Sequence, residues 1–527
     1  MLLAEIASTS AAVAATRSRL EKVDLLMAAL RRFAPEEIEV GSGYLAGVPR
    51  QGRMGLGWET LRDARGHGRA STPTLALLEV DAAFERIART AGKGSAAERR
   101  KLLAELMSRA TAAEQEFLIR LILGELRQGA LEGLVVEAIA RAAGVPASDI
   151  RRAVMLAGGP AAVARAALVE GPAGLARFRL ELGKPVKPML AQPAGDVDEA
   201  LAALGEAVLE YKLDGARVQV HKSGDDIRVF SRRLNDVTAG VPEVMEAVRA
   251  LPARQAILDG EAIALREDGR PQPFQVTMSR FGRKLDVAAA RQTLPLSVFF
   301  FDCLHLDSQD LIDRPARERI RLLAEELPSG LLVPRLVTSE LEAAEEFLRG
   351  SLDRGHEGLM AKALDAPYEA GNRGSSWLKV KMAHTLDLVI IAAEWGSGRR
   401  EGWLSNLHLG ARDPRTGGYI MLGKTFKGLT DAMLEWQTGK LRELETHRQG
   451  YVVHVRPELV TEIAFNDIQA SPHYPAGLAL RFARVKRYRQ DKTPAEADTI
   501  DTVRQIYQRQ SGSLEGPSDA VTGSGEP

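Results

Sequence analysis

The sequence predicts a multidomain protein in which an all-α N-terminal domain is followed by an α/β domain and an all-β domain. Its 527 residues are too many for one hydrophobic core, and this length suggests roughly three or four domains. Apolar residues recur at helical spacing through about the first 170 positions, whereas short runs of alternating polarity predominate after them. Pro185 and Pro188 separate these regions, because proline disrupts the interior of a helix.

The helical pattern is clearest between Phe117 and Ala130. Its apolar residues lie on one face at helical spacing: Phe117, Leu118, Leu121, Ile122 and Leu126. A glycine-rich interruption from Gly41 to Gly57, which carries Arg50 and Arg53, is typical of a loop between helices. We therefore expect a helical domain over residues 1–175.

The α/β domain is expected over residues 183–383. The chain should run extended around Pro185 and Pro188, so the boundary is placed just before them. Several segments then have the composition and alternation of strands, namely residues 216–222, 227–231, 256–265 and 296–302.

The all-β domain is expected over residues 384–510. Short strands separated by turns follow His384, and several such strands suggest a small barrel. These strands are residues 388–393, 407–411, 418–422 and 451–455. Residues 511–527 are rich in Ser, Gly, Glu and Pro, which predicts a disordered tail.

The composition argues against some classes of protein and leaves others open. Lys plus Arg and Asp plus Glu both total 70, so the net charge of zero argues against a non-specific polycation. It does not exclude nucleic-acid binding, which depends on where the charges lie. The single cysteine, Cys303, permits neither a disulfide framework nor a zinc site of several thiolates, and this favours the reducing cytoplasm. Neither a signal peptide nor a membrane span is expected.

The stretch from Glu210 to Arg217, EYKLDGAR, is the central chemical feature. Lys212 lies just before a predicted strand, and a lysine amine is a nucleophile only when it is unprotonated. Burial and neighbouring cations would lower its pKa and make it reactive. Gly215 would let a ligand approach the backbone closely. A surface lysine beside an Asp-Gly turn is the alternative, and these residues alone do not decide between the two.

Further acids and lysines follow in an order that favours a nucleotide site. Glu261 ends an apolar strand, and the segment from Glu357 to Lys362 supplies a second carboxylate and a lysine. Lys379 and Lys381 share one face of a strand because they are two residues apart. Carboxylates bind Mg²⁺ and lysines neutralise phosphates, so the set suits ATP with a divalent metal. Each acid taken alone is better explained by a salt bridge or by solvent.

In this order and with these flanking residues, the chain resembles the ATP-dependent DNA ligases, within the covalent nucleotidyltransferases that also include RNA ligases and capping enzymes. It is most similar to the bacterial and archaeal type with an N-terminal DNA-binding domain, and the resemblance covers nearly everything except the tail. It implies a helical DNA-binding domain, an ATP-grasp-like adenylation domain and an oligonucleotide-binding (OB) fold. It also implies nick sealing in duplex DNA through a lysyl-AMP intermediate and an adenylated 5′-phosphate, in replication, repair or recombination.

The resemblance also implies a role for each matching residue. Lys212 would form the phosphoramide with AMP, Glu210 would lie beside the adenine, and Phe301 would stack on it. Glu261 and Glu357 would share ribose contact and the binding of Mg²⁺ or Mn²⁺. The other ATP-binding residues that it implies are Arg217, Arg232, Arg373, Lys379 and Lys381, of which the two lysines would hold the α-phosphate.

The C-terminal match is the segment from Leu480 to Lys492. By resemblance, Arg489, Asp491 and Lys492 would swing over ATP and orient the departing pyrophosphate. The alternatives are a basic solvated strand or contact with DNA phosphates. One departure from the family pattern is His305, which lies close to the expected adenine pocket where tyrosine is more usual.

The helical domain favours DNA over RNA as the substrate. Residues 124–133 resemble a stretch of the family's DNA-binding domain, with a Gly-tolerant packed helix pair as the alternative interpretation. The expected partner is nicked duplex DNA, encircled by a monomer that closes as a clamp. An RNA ligase or a GTP-using capping enzyme would share the lysine chemistry, and a non-catalytic DNA-binding scaffold is an alternative of another class. A nicotinamide-dependent ligase is disfavoured because its zinc module needs more cysteines.

Overall fold

The computed structural model describes residues 1–52, 54–65, 68–129, 132–283, 285–369, 376–381, 384–397 and 400–511. An all-α region comes first along the chain, a mixed α/β region follows, and a β-rich region comes last. The fold class predicted from the sequence is therefore confirmed. The predicted tail lies outside the described residues, apart from Ser511, the last residue of a helix. Among the described residues, no helix is long and apolar enough to cross a lipid bilayer.

The N-terminal region is built from helices that pack around a common apolar core. Leu26, Phe84, Leu118 and Ile139 are fully buried in their common core. The helices are α1 Leu3–Ala15, α2 Arg19–Leu30, α3 Ile38–Leu45, α4 Trp58–Arg65, α5 Leu77–Arg89, α6 Ser95–Arg109, α7 Ala112–Leu123, α8 Glu132–Ala143, α9 Ala147–Ala157 and α10 Pro160–Leu175.

Two predictions about this region were wrong in part. Gly41 does not begin a loop but lies within α3, where a Cβ atom at this position would collide with the Phe33 ring, so close packing explains the glycine. The helix predicted to run on to Ala130 ends at Leu123, because Gly124 adopts a left-handed conformation (φ 72°) that terminates it. Leu126 is buried, but it lies in the loop that follows α7 and not in the helix.

Two sheets form the centre of the α/β region. The first has the strand order β1-β10-β9-β2-β8 and the second has the order β4-β3-β5-β6-β7. The strands are β1 Gln192–Ala194, β2 Ala207–Tyr211, β3 Ala216–Ser223, β4 Asp226–Ser231, β5 Gln255–Ala264, β6 Leu296–Leu306, β7 Gln309–Asp310, β8 Arg335–Thr338, β9 Gly358–Ala363 and β10 Trp377–Lys381. The helices are α11 Val197–Leu204, α12 Pro242–Arg249, α13 Phe274–Phe281, α14 Val287–Thr293, α15 Ala316–Glu326 and α16 Leu341–Asp353.

Alternation along the strands of the first sheet separates its apolar face from its charged face. Leu209 and Tyr211 of β2 are buried in an apolar cluster with Leu378 and Val380 of β10. Glu210 lies between the two β2 residues in sequence, so it points to the opposite face. The charged face is therefore on the side that carries the candidate site.

The C-terminal region is dominated by antiparallel strands. Among the described residues, seven strands share one sheet, with the path β13-β12-β11-β15-β14 and with β16 joining β11 to β19. The strands are β11 His384–Trp395, β12 Leu404–Arg412, β13 Tyr419–Thr425, β14 Glu445–Gln449, β15 Val452–Val455, β16 Val460–Phe465, β17 Asp467–Ala470, β18 Leu478–Arg481 and β19 Arg484–Tyr488. Two helices accompany them, α17 Asp431–Glu443 and α18 Ile500–Ser511.

Candidate active site

Lys212 lies immediately after β2, where its main chain pairs with the beginning of β9. Its N–H donates to the carbonyl oxygen of Gly358 (2.9 Å), and the N–H of Glu357 donates to the Lys212 carbonyl (3.1 Å). This pairing brings the two side chains together, and the Lys212 Nζ lies 2.5 Å from Glu357 Oε2. The Lys381 Nζ donates to Glu357 Oε1 at 2.7 Å. Three of the predicted site residues therefore meet at one carboxylate.

The electrostatic state of Lys212 differs from the one predicted. Burial lowers its pKa, but the carboxylates of Glu357, Glu261 and Asp214 together raise it by more, so the pKa lies above its usual value. The prediction of a lowered pKa was therefore wrong for this arrangement. For Lys381, burial and the neighbouring Lys212 ammonium lower the pKa. Lys212 is held as an ammonium here, and it must lose a proton before it can act as a nucleophile.

Glu261 faces the same site from the second sheet. It lies on β5 directly opposite Arg217 of β3. Burial raises the pKa of the Glu261 carboxyl to about 7, although the positive charges of Lys212 and Arg217 oppose the shift. Glu261 therefore exchanges its proton near neutral pH.

Residue 215 must be a glycine because β5 passes too close to its backbone for a side chain to fit. A Cβ atom at this position would lie 3.0 Å from the Glu261 Cγ and would collide with the carbonyl oxygen of Ala262. The sequence suggested close approach of a ligand at this glycine, and the structure shows close approach of the neighbouring strand. The effect is to bring Glu261 toward Lys212.

Glu210 and Phe301 lie on one side of the site and are linked by Lys362. The Lys362 Nζ lies 2.6 Å from Glu210 Oε2 and 4.6 Å from the centroid of the Phe301 ring. A second cation, Arg335, places its Nη2 atom 3.1 Å from Glu210 Oε1. Arg335 was missed by the sequence analysis because only the pairing of β8 with β2 brings it here.

Arg217 is held by two residues that the sequence analysis did not single out. It donates to Asp259 through Nε (3.0 Å) and Nη2 (2.6 Å), and to the hydroxyl oxygen of Tyr368 (3.1 Å). Tyr368 in turn donates to Asp259 at 2.6 Å. The guanidinium carbon of Arg217 lies 5.4 Å from the Phe301 ring centroid. Asp259 lies two residues before Glu261 in the sequence. This proximity was the one sequence feature that could have pointed to Asp259.

The remaining predicted nucleotide-binding residues are Lys379, Arg232 and Arg373. Lys379 lies half-buried on β10, on the same face as Lys381. Arg232 is exposed in the turn after β4 and forms no ion pair with any described residue. Arg373 lies outside the described residues. His305, the departure from the family pattern, pairs with Asp310 at 2.7 Å.

The C-terminal motif residues form a cluster, but their partners belong to the C-terminal domain itself. This cluster comprises Arg489, Asp491 and Lys492. Arg489 Nη1 lies 2.8 Å from Asp387 Oδ2, and Lys492 Nζ lies 2.6 Å from the same oxygen. Arg489 Nη2 also lies 2.7 Å from Asp491. Arg481 of the C-terminal domain does reach the Lys212 motif, because its Nη1 lies 2.7 Å from Asp214 Oδ2.

Three carboxylates that could hold a cation converge where the central and C-terminal domains meet. Among the described residues, Asp214, Glu357 and Asp467 each offer a carboxylate oxygen, and these atoms lie within 4.8 Å of one another. Carboxylate oxygens are the ligands that Mg²⁺ and Mn²⁺ favour, so the donor set fits the implied metal. Glu261, the other predicted metal ligand, is not part of this group.

Three models of known families match the chain. Residues 188–381 match the ATP dependent DNA ligase domain, and residues 48–140 match the DNA ligase N terminus. Residues 400–492 match the ATP dependent DNA ligase C terminal region. The three matches follow the same order as the three structural regions.

Whole-chain relatives give the same result. The chain is 65% identical over 512 residues to a probable DNA ligase of Anaeromyxobacter sp. (strain Fw109-5), covering 97% of this chain and 99% of the relative. It is 56% identical to a probable DNA ligase of Sorangium cellulosum (strain So ce56), covering 96% of this chain and 95% of that one. The solved structure Pmar-Lig_PreS3 covers 92% of this chain with 99% of its own, at a TM-score of 0.60 and 17% identity, which supports the fold alone.

Proposed function

The chain belongs to the ATP-dependent DNA ligases, and on this premise we propose that Lys212 is the nucleophile that takes AMP from ATP. The family resemblance inferred from the sequence is confirmed, and ATP-dependent DNA ligase activity follows from it. The assignment of steps to residues is our own. The observation that carries it is the meeting of Lys212, Glu357 and Lys381 at the end of β2.

In the first step the Lys212 amine attacks the α-phosphorus of ATP. A phosphorus–nitrogen bond forms, the bond to the leaving oxygen breaks, and pyrophosphate departs with that electron pair. The Lys212 ammonium first gives up a proton, and Glu357, 2.5 Å from Nζ, is within hydrogen-bond reach to pass it to solvent. The free amine then becomes the attacking group.

Nucleotide binding is assigned to the charged face of the first sheet and the facing strands of the second. Phe301 stacks on the adenine and Glu210 accepts a hydrogen bond from its exocyclic amine. Lys379 and Lys381 neutralise the α-phosphate. The remaining ATP contacts are assigned to Arg217, Arg232, Glu261 and Arg373.

The metal is assigned to the carboxylates around Lys212. Glu261 and Glu357 were the expected ligands, and Asp214 and Asp467 are suited by their position beside Glu357. Mg²⁺ or Mn²⁺ held by these carboxylates would neutralise negative charge on the phosphates. Glu357 also pairs with Lys212. A cation bound to Glu357 would therefore free the Lys212 amine from this ion pair.

The second and third steps act on nicked duplex DNA held by the helical domain. AMP passes from Lys212 to the 5′-phosphate, and the 3′-hydroxyl then attacks that phosphate and releases AMP. Arg489, Asp491 and Lys492 are assigned to orient pyrophosphate in the first step, when we expect the C-terminal domain to swing over ATP. Asp387 of the same domain pairs with Arg489 and Lys492 and would hold both cations in place during that movement. We expect one chain to close around the DNA as a clamp.

Labelling of the protein by ATP carrying label in the α-phosphate tests the assignment. The wild type should be labelled from ATP far faster than from GTP and not from NAD, and nicked duplex DNA should chase the label into sealed product. Lys212→Ala should abolish the label, whereas Lys424→Ala, a lysine paired with Glu394 in the C-terminal domain, should not. Label on Lys212→Ala would refute the proposal, and a chase by nicked RNA but not DNA would move the substrate to RNA.

A further inference from the structure

The Glu210 carboxylate is held by two cations that approach its two oxygen atoms separately. Glu210 is 1% exposed, with Lys362 Nζ 2.6 Å from Oε2 and Arg335 Nη2 3.1 Å from Oε1. Two charges on two oxygens define the orientation of the carboxylate plane more strongly than one would. A carboxylate has about four lone-pair directions, so these contacts leave it able to accept a further hydrogen bond.

Lys362 also links this carboxylate to the aromatic side of the pocket. It is 1% exposed, its Nζ donates to the carbonyl oxygen of Phe301 at 3.2 Å, and the same atom lies 4.4 Å from the Trp377 ring centroid. Lys362 lies on β9 of the first sheet and Phe301 lies on β6 of the second. One buried ammonium therefore fixes the position of Glu210 relative to Phe301.

Arg335 contributes charge more than directional hydrogen bonds. Its Nε, Nη1 and Nη2 atoms are buried and make no hydrogen bond of good geometry within the part of the chain that the structure describes. A buried guanidinium without such bonds is costly unless its charge is compensated. The only compensating charge in contact with it is Glu210, among the described residues.

The two purine nucleotides differ at the position that a carboxylate would read. Adenine carries an amine that donates a hydrogen bond, whereas guanine carries a carbonyl oxygen that accepts one. An ionised carboxylate can only accept, so it pairs with adenine and repels guanine.

We infer that Lys362 and Arg335 are positioning residues that make the site select ATP over GTP by holding the Glu210 carboxylate in place and oriented toward the base. The inference rests on the proposed function, in which Glu210 lies beside the adenine. Neither cation needs to touch the nucleotide, because each acts through Glu210.

The test compares the rate of protein labelling from ATP and from GTP, each labelled in the α-phosphate. In Lys362→Met the ratio of the second-order rate constant of labelling by ATP to that of labelling by GTP should fall about tenfold or more, because the carboxylate that reads the base is less well oriented. Arg335→Met should lower the ratio less, and Arg335→Lys should restore it. Glu210→Gln, which can present a donor, should also lower it.

The matched control is Arg354→Met. Arg354 Nη1 donates at 2.9 Å to the hydroxyl of Tyr211, which is adjacent to Glu210 in β2 but points to the opposite face. This variant should keep the wild-type ratio. Each variant should also bind nicked DNA and unfold at a temperature close to that of the wild type. A variant that fails either check is misfolded and is set aside.

The outcomes separate the inference from the function on which it rests. A lower ratio in Glu210→Gln with unchanged ratios in Lys362→Met and Arg335→Met overturns the inference and leaves the proposed function standing. The inference is also overturned if Lys362→Met and Arg335→Met slow labelling from ATP and from GTP by the same factor. A merely structural role of the two cations would slow both reactions equally. An unchanged ratio in Glu210→Gln overturns the inference as well, whereas label on Lys212→Ala refutes the proposed function itself.

Discussion

The Lys212 Nζ and the Glu357 Oε2 atoms lie 2.5 Å apart at adjacent ends of β2 and β9. The carboxylate raises the pKa of the lysine against the effect of burial, and Lys212 and Lys381 together lower the pKa of Glu357, which burial raises. The proposed nucleophile is therefore held in its charged form. The rate of self-adenylation should depend on how this ion pair is released.

The first prediction concerns pH. Since the pKa of Lys212 is raised, only a small fraction of its amine is free at neutral pH, and the rate of labelling from ATP should increase as pH rises. In Glu357→Gln the carboxylate charge is lost while burial still lowers the pKa of Lys212. The rising limb of the pH–rate profile should therefore move to lower pH, although the maximal rate should fall if Glu357 binds the metal.

The control for the pH profile is Glu246→Gln. Glu246 pairs with Arg291 on the surface of the same domain, so its profile should match the wild type. A Glu357→Gln profile with an unmoved rising limb would show that Glu357 does not control the protonation of Lys212.

The second prediction concerns Asp387, one oxygen of which receives both Arg489 (2.8 Å) and Lys492 (2.6 Å). In Asp387→Asn the anchoring charge is lost, so the two cations should be less well positioned for pyrophosphate. Labelling from ATP should fall by about tenfold or more, whereas sealing of a nick that already carries AMP should be nearly unchanged. Single-turnover assays of the two reactions measure the difference.

Glu445→Gln is the matched variant, since Glu445 pairs at 2.6 Å with Arg448 on the same C-terminal sheet. It should leave both reactions near the wild-type rate. Equal losses in the two reactions for Asp387→Asn would indicate a damaged domain instead of a step-specific role.

The third prediction concerns the stability of the central domain. Arg319 and Asp302 form a fully buried pair through two hydrogen bonds of 2.8 Å and 3.0 Å. Arg319→Met leaves the Asp302 charge buried without its partner and should lower the free energy of unfolding by about 3–5 kcal/mol. Urea denaturation followed by a probe in the central domain measures this change.

Arg317→Met is the comparison for this stability effect. Arg317 pairs at 2.8 Å with the exposed Asp365, and such surface pairs contribute about 0–1 kcal/mol. Similar losses for the two variants would contradict the importance of the buried pair.

The fourth prediction concerns the loop after α7. The Lys22 Nζ donates to the carbonyl oxygen of Gln128 at 2.6 Å, and the Gln128 amide donates to the Leu45 carbonyl at 2.6 Å. Between these anchors and Gly124, Arg127 adopts a left-handed backbone (φ 53°) that costs a non-glycine residue about 1–3 kcal/mol. Lys22→Met should relax this loop and weaken binding of nicked duplex DNA, with labelling from ATP unchanged.

Fluorescence anisotropy with nicked duplex DNA measures that binding, and Lys101→Met, an exposed lysine of α6, is the control. Unchanged affinity in Lys22→Met would show that the loop does not contribute to DNA binding. A parallel loss of labelling would show that the substitution affects more than the N-terminal domain.

Parts of the site could be predicted because they depend on local rules. Lys379 and Lys381 share a face by strand alternation, and Glu210 and Lys212 are likewise two residues apart. The meeting of Lys212 with Glu357 was expected only through the family resemblance. Arg335 and Asp387 could not be found in this way, since neither belongs to a motif that was recognised.

The sequence by itself determined the order of helical, mixed and β-rich regions, because helical and strand periodicities are local and Pro185 and Pro188 interrupt both. It also determined which residue types were available for the chemistry. Only the tertiary structure decided which charges meet, and with them the direction of the pKa shift of Lys212. Coulombic energies depend on distances of a few ångströms and on burial, and both arise from strand pairings between residues far apart in the chain.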